Sequence, residues 1–305
     1  MATTTGAVQK RSRRFNWGKI VMWSIMGLIV FTTLFPIWWV LRTAFTSPNQ
    51  IYTETSSLLP VGFTTDNFRR VMGMMSVEEM VKIVSSAGKI NVLLALRNTV
   101  IFVTLVTVGQ VLFSSMAAYA FARLRFPLRD YLFFLYVSAL MVPGIVTLIP
   151  NFILMKQLGW IDTFQGMVAP FVLMTPFAVF FMRQFFLGIS RDIEEAALID
   201  GAGRFTIFWR VILPVTQPQW ITLGIVTLIT AWNEYLWPLE IGGRYESTRV
   251  MTVALAILRY QVPQGSTPDW GGLMAGTTLA IIPVAIIFLL MGRRLLDSIQ
   301  FTGIK

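Results

Sequence analysis

The chain has 305 residues, of which 55% are hydrophobic and 13% charged, with a mean hydropathy of +0.67 and a net charge of +10. These values exclude a water-soluble domain and point to a chain built for a bilayer. Without cysteine or histidine there are no disulfides, and most metal sites and nucleophile–base pairs are ruled out.

At the N-terminus, Lys10, Arg11, Arg13 and Arg14 directly precede the first apolar run. Anionic lipid headgroups are the nearer partner for that cluster, and no nucleic acid is expected. Six uncharged apolar runs follow: Ile20–Leu41, Asn98–Ala122, Tyr131–Met155, Thr163–Met182, Val211–Asn233 and Trp270–Gly292, each of 20 to 25 residues. About 20 residues at ~1.5 Å rise cross a hydrocarbon core of ~30 Å. Lipid offers the backbone no hydrogen bonds, so the runs should be helices. The expectation is an all-α membrane protein with six transmembrane helices, an N-terminal tail 1–19, a membrane domain 20–296 and a tail 297–305. The first run is too long for a signal h-region and no small-x-small site follows it, so cleavage is not expected.

With the N-terminus inside, the inner segments carry 15 Lys and Arg in 68 residues and the outer segments 10 in 99. Positive charge favours the cytoplasmic side, which places both termini in the cytoplasm of a multi-pass protein.

Several runs carry marks of irregularity. Pro36 precedes the interfacial pair Trp38 and Trp39. Ser114-Ser115-Met116-Ala117-Ala118 permits close helix approach, as does Gly272-x-x-x-Gly276. Pro143-Gly144 and Pro150 interrupt the third run, and Pro170 and Pro176 the fourth. Each proline frees a carbonyl that a neighbour must satisfy. Ordinary kinks and broken helices lining a pathway are both open readings. Between runs, Ser76-Val77-Glu78-Glu79 has the form of a capping box, with Glu78 four residues before Lys82. A short surface helix from Ser76 to about Ser85 is predicted. Val250–Leu258 is apolar but too short to cross, and should be re-entrant or interfacial.

The segment from Ser190 to Pro218 is charged and lies between two apolar runs, where a short turn would suffice. Ser190 can cap a helix, with Asp192, Glu194 and Glu195 near its positive end. Ile189, Ile193, Ala196 and Ala197 fall on one stripe, with the carboxylates expected on the other side. Asp200-Gly201-Ala202-Gly203 breaks the helix, glycine accepting positive φ there. A second helix with Phe205, Phe208 and Trp209 runs to Leu213-Pro214. Small alanines and carboxylates suit a partner with basic groups. An interfacial helix packed under its own bundle is the competing reading.

The spacing Glu195-Ala196-Ala197, three residues, Gly201, nine residues, Val211-Ile212-Leu213-Pro214 resembles the EAA motif of binding-protein-dependent ABC importer permeases, in which Ile stands where this chain has Val211. Ala117–Arg123, Met141-Val142-Pro143, Arg183–Phe186, Trp232–Pro238 and Asp269-Trp270-Gly271 resemble the carbohydrate-uptake branch, nearest to the maltose-type permease with six spans. The likeness runs from about residue 17 to about residue 300. The tail Ser298–Lys305 departs from it, and the loop around residues 71–95 is longer than usual.

The resemblance implies a permease subunit of a bacterial or archaeal inner-membrane importer, a transport subunit without enzymatic activity of its own. Its partners would be a second homologous permease, two ATPase subunits and an external sugar-binding protein. ATP and Mg would sit on the ATPase subunits, and no cofactor or metal on this chain. The absence of any G-x-x-x-x-G-K-[ST] in the sequence agrees with a borrowed ATPase. The coupling helix would be about 190–203, with Glu194, Glu195, Ala196, Ala197, Asp200, Gly201, Leu213 and Pro214 as coupling residues. At the outer end of the fifth run, Trp232, Asn233, Glu234 and Tyr235 are candidates for lining the path, since sugars stack on aromatic rings and their hydroxyls need acceptors. An interfacial aromatic belt is the alternative.

Other classes fit less well. A secondary transporter would place ionisable groups at mid-membrane, and the six runs hold none. A membrane enzyme would need convergent acid, base or metal ligands. A permease for glycerol phosphate or another polyol is the serious alternative. A phosphate ester would favour Arg or Lys in the path.

Overall fold

A computed structural model describes residues 17–53, 56–76, 78–80, 90–260 and 268–300. The described residues contain helices and no strand. The main helices are α1 (Trp17–Ala44), α2 (Asp66–Val71), α3 (Val92–Arg123), α4 (Arg129–Ser138), α5 (Gly144–Gln157), α6 (Phe164–Val172) and α7 (Pro176–Leu187). They continue with α8 (Arg191–Ile199), α9 (Arg204–Val215), α10 (Gln217–Trp232), α11 (Leu236–Gly242), α12 (Met251–Tyr260) and α13 (Trp270–Gln300).

Among the described residues, four helical stretches are long and apolar enough to cross a membrane: Trp17–Ala44, Val92–Arg123, Phe164–Leu187 and Trp270–Leu290. Two more crossings arise if bent pairs count as one each. Arg129–Met141 meets Gly144–Gln157 at 99°, and Arg204–Val215 meets Gln217–Trp232 at 81°. The six apolar runs thus map onto four helical stretches and two bent pairs.

Two boundaries change. Tyr131–Met155 is not one helix, because Val142 and Pro143 are extended and Pro143 lacks the N–H that would continue the ladder. Val211–Asn233 straddles a bend at Thr216 (φ −97°, ψ 25°), so residues 211–215 end α9 and the next helix starts at Gln217. A hydropathy window responds to composition and cannot register either bend. The sixth run continues as helix to Gln300, so the expected tail boundary at 297 falls inside α13.

The ends of the bundle are defined by contacts. At one end, Asn67 on α2 donates to the carbonyls of Ala44 (2.9 Å) and Thr46 (2.8 Å), where α1 stops. Arg70 pairs with Asp269 at the start of α13, its Nη2 reaching Oδ1 at 2.7 Å. Asn98, near the start of α3, donates to the carbonyls of Glu246 (3.2 Å) and Arg249 (3.0 Å). At the opposite end, Arg123 closes α3 against the last carbonyls of the α7 region. We call these ends outer and inner, after the basic-residue asymmetry of the sequence.

Three apolar clusters fill the bundle. The outer one centres on Phe102, Met167, Trp232, Trp237 and Ile241, and the inner one on Tyr119, Met182, Phe186, Ile207 and Phe208. A third joins Ala44, Val92, Ala254 and Ala275. Against lipid, which is as apolar as these side chains, such clusters are held by close packing and by hydrogen bonds between helices. α1 stands at the edge against α13, exposed from Trp17 to Trp38.

The small-residue stretches are packing surfaces. Ser114, Ser115 and Ala118 are buried in α3. A Cβ on Gly276 would approach Leu255 to 2.7 Å. At the α6–α7 break the backbone finds side-chain partners: Thr175 N–H donates to Ser114 Oγ (3.2 Å), and Tyr136 Oη donates to the Met174 carbonyl (2.8 Å). Pro176 opens α7 at its first turn, where a missing N–H costs nothing. The Ser76–Glu79 capping box is present, with Ser76 N–H donating to Glu79 Oε2 at 2.9 Å and Glu79 N–H to Ser76 Oγ at 3.3 Å. The remainder of that expected helix, including Lys82, lies outside the described residues. Of Val250–Leu258, the residues from Met251 on fall on α12, a helix of ten residues packed against α3 and α13.

Candidate functional site

The inner end carries the more unusual chemistry. Ser190 caps α8, its Oγ accepting from Asp192 N–H at 3.3 Å. α8 ends at Asp200, and Gly201 turns the chain with φ +79°. A Cβ there would meet nothing within 4 Å, so the glycine is required by conformation and not by space. α9 begins at Arg204 and contains a π-helical turn, Phe208–Ile212, that drives Phe208 and Ile212 into the core.

α8 departs from the sequence expectation at one carboxylate. Of its nine described residues Glu194 alone is buried. Ile193 and Leu198 are exposed, and Ile199 is 86% exposed. On α9, Phe205 is 66% exposed. Of the expected stripe, Ile189 and Ala197 pack on the inner cluster and Ile193 and Ala196 are exposed, while one carboxylate, Glu194, faces in because it meets basic groups there. Arg123 Nε lies 3.0 Å from Glu194 Oε1, and Arg204 Nη1 3.8 Å from Oε2. Tyr119 Oη donates to Oε2 at 3.5 Å.

The other coupling candidates separate. Glu195 is exposed and, with Glu194, lines a polar cavity of about 560 Å³ whose other walls include Arg123, Arg125, Arg191 and Arg204. Ala196 and Asp200 are exposed, and Ala197 is half-buried on the inner cluster. Leu213 and Pro214 lie elsewhere, at the end of α9. There the Leu213 carbonyl accepts from Trp220 Nε1 at 3.1 Å, and Leu213 borders an apolar groove with Trp209 and Trp220.

At the outer end the four path candidates also separate. Trp232 is buried in the outer cluster and Tyr235 packs against it. Asn233 ends α10, its Nδ2 donating to the Ile229 carbonyl at 2.8 Å. Glu234 alone of the four opens into a cavity, of about 180 Å³, whose walls include Phe102, Gln110, Phe171, Thr175, Thr227 and Thr230. That is room for roughly six waters at ~30 Å³ each. In its wall Thr227 Oγ1 donates to Gln110 Oε1 at 2.8 Å. Sequence reasoning missed Gln110, Thr175, Thr227 and Thr230. The available signal was an amide and hydroxyls inside uncharged apolar runs, where polar side chains need partners.

Known proteins agree with this architecture. The family model described as "Binding-protein-dependent transport system inner membrane component" matches residues 110–300. The "Probable ABC transporter permease protein YurM" of Bacillus subtilis is 28% identical over 297 residues, covering 97% of this chain and 92% of that protein. The "sn-glycerol-3-phosphate transport system permease protein UgpE" of Yersinia pestis is 35% identical over 201 residues, covering 66% of this chain and 70% of that one. Among solved structures, a chain of a bacterial ABC transporter involved in alginate import has a TM-score of 0.76 at 24% identity. It covers 94% of this chain and 99% of that one, and shares the fold. The chain belongs to the inner-membrane components of binding-protein-dependent transport systems, and is a permease subunit of an ABC importer.

Proposed function

We infer that the chain moves a neutral sugar inward, together with a second permease, two ATPase subunits and an external sugar-binding protein, with its termini in the cytoplasm. α8 is the docking helix for an ATPase subunit, and ATP with Mg is held by that partner. The observation that carries this reading is the set of exposed apolar side chains on and beside α8. Ile193, Leu198, Ile199 and Phe205 lie at the surface beside Glu195 and Arg191. Apolar side chains gathered on a charged surface suit a protein partner.

The test is co-purification of the ATPase with Ile199→Asp. Ile199 touches little of its own chain at 86% exposure, so the variant is expected to insert normally and lose the ATPase. Retention of the ATPase at wild-type level would leave α8 as an interfacial helix.

For substrate, the cavity beside Glu234 offers phenyl rings, an amide, hydroxyls and a carboxylate, and its lining residues include no Lys or Arg. That set suits a polyhydroxylated neutral molecule and repels a phosphate ester. Glu234→Gln and Thr227→Val should each lower uptake with insertion and ATPase content unchanged. The similarity to glycerol-phosphate permeases favours a second reading, an organic phosphate. Competition of uptake by glycerol phosphate but not by neutral sugars would select it.

A further inference from the structure

We propose that Glu194 is a positioning residue: its ion pair with Arg123 fastens α8 to the inner end of α3, so that α3 carries displacement of α8 to the wall of the outer cavity. The proposal rests on the reading of α8 as the ATPase-docking helix and goes beyond it, to how a docked helix is joined to the path.

Three observations carry it. The first is what holds α8. Nine residues are too few for a stable isolated helix, and apolar burial seats this one only through the half-buried Ala197, the fully buried residue being Glu194. Its carboxylate meets Arg123, whose guanidinium also donates to the carbonyls of Phe186 and Ile189. One guanidinium therefore ties together the end of α3, the end of α7 and the first turns of α8.

The second is the shape of the routes leading outward. The covalent route from α8 passes the Gly201 turn, the π-helical turn of α9 and an 81° bend at Thr216 before reaching α10. The route through Arg123 enters α3, a single helix of 32 residues with no proline. At ~1.5 Å per residue it is a rod of about 48 Å. Bends absorb motion, whereas an unbroken helix passes it on.

The third is where the rod leads. Phe102, Val106 and Gln110 on α3 form one wall of the outer cavity, with Val226, Thr227, Thr230 and Ala231 of α10 opposite. Gln110 lies thirteen positions from Arg123, about 20 Å along the helix, and meets Thr227 at 2.8 Å. A tilt of α3 relative to α10 alters that contact directly. Charge suits the joint better than an apolar contact would. A buried pair adds little net stability, but here the Arg123 guanidinium is itself held by the Phe186 and Ile189 carbonyls while its charge faces Glu194.

The experiment uses the complete transporter in proteoliposomes, with ATPase content, ATP hydrolysis and sugar imported per ATP measured together. Glu194→Gln keeps the shape and removes the charge. The expected result is ATPase content within twofold of wild type and import per ATP reduced about tenfold. Glu194→Asp keeps the charge with a shorter reach, and an intermediate reduction of about threefold is expected. Wild-type import per ATP in Glu194→Gln overturns the proposal. So does a loss of import that merely follows a loss of bound ATPase, because Glu194 would then serve docking alone. Should Glu194→Gln fail to insert, Glu194→Asp decides: unchanged import per ATP overturns the joint. Ile199→Asp separates the two readings. If it keeps its ATPase, the docking reading fails. If it loses the ATPase while Glu194→Gln imports normally, only the joint fails.

Discussion

The two ends of the bundle each bury an arginine–carboxylate pair, and the pairs differ in what they are attached to. At the outer end, Arg70 and Asp269 have side chains 4% and 7% exposed. Asn67 shares the Arg70 guanidinium, the N–H of Gly272 donates to Asp269 Oδ1, and a Cβ on Gly271 would strike Asn67. Every neighbour is fixed. At the inner end, Arg123 and Glu194 are 4% and 6% exposed, yet Glu194 sits on a helix whose other described residues are exposed or half-buried. Similar burial thus sits in two settings. The outer pair joins α2 to the start of α13, and the inner pair holds a small helix whose other residues are exposed or half-buried.

The comparison breaks first at Asp269. Removing one partner of a buried pair costs about 3–5 kcal/mol, because the other charge is stranded. Asp269→Ala leaves Arg70 with Asn67 in a cramped site, and the whole bundle should lose stability by that amount. The measurement is thermal unfolding in detergent. Glu194→Gln should shift the melting temperature less. Arg123 keeps the carbonyls of Phe186 and Ile189, and a polar cavity of about 560 Å³ lies beside it. Equal shifts in the two variants would erase the distinction between scaffold and joint.

A second break concerns the middle of α3, which the joint requires to pack closely. A Cβ on Gly109 would lie 2.6 Å from the Val172 carbonyl oxygen and 2.4 Å from its Cγ2. Gly109→Ala therefore pushes α3 off the broken helix α6–α7 against backbone that cannot rotate away. Overpacking of this kind costs about 1–3 kcal/mol. A lower melting temperature together with reduced uptake is expected. An unchanged melting temperature would mean that the two helices separate at no cost.

Much of this fold was legible in composition. Run length gave the membrane helices, and small residues such as Ser114 and Gly276 marked helix contacts, because both follow from local chemistry. The bends at Pro143 and Thr216 were not legible, since a proline is compatible with a kink, a break or a helix start, and neighbours decide which. Sequence placed Gly201 correctly at positive φ, because that requirement is local. It missed that Glu194 points in, because that depends on Arg123, 71 positions earlier in the chain. Trp232 misled for a related reason. An aromatic at a span end can face lipid, path or core, and here the cluster around Trp237 claims it.

Gly201→Val sharpens the comparison at the turn. Open space around the glycine leaves only the backbone cost of holding a β-branched residue at φ +79°, about 1–2 kcal/mol. That is too little to unfold the bundle and enough to re-aim α8. Uptake should fall severalfold with membrane content unchanged. Loss of the protein from the membrane would show instead that the turn belongs to the scaffold.

The smallest effect is expected from Ser190→Ala. The Ser190 hydroxyl accepts from Asp192 N–H at 3.3 Å and donates to Asp192 Oδ2 at 2.9 Å, and loss of such a cap costs about 1 kcal/mol. If Glu194 seats α8, a frayed first turn leaves the carboxylate on Arg123 and the exposed Leu198 and Ile199 in place. Bound ATPase should then fall by no more than about fivefold, and import per ATP should stay at the wild-type value. If α8 were held instead by its own helical stability, Ser190→Ala would lower import per ATP as Glu194→Gln does. Measuring both quantities in the same vesicles distinguishes a helix that is merely formed from one that is fastened.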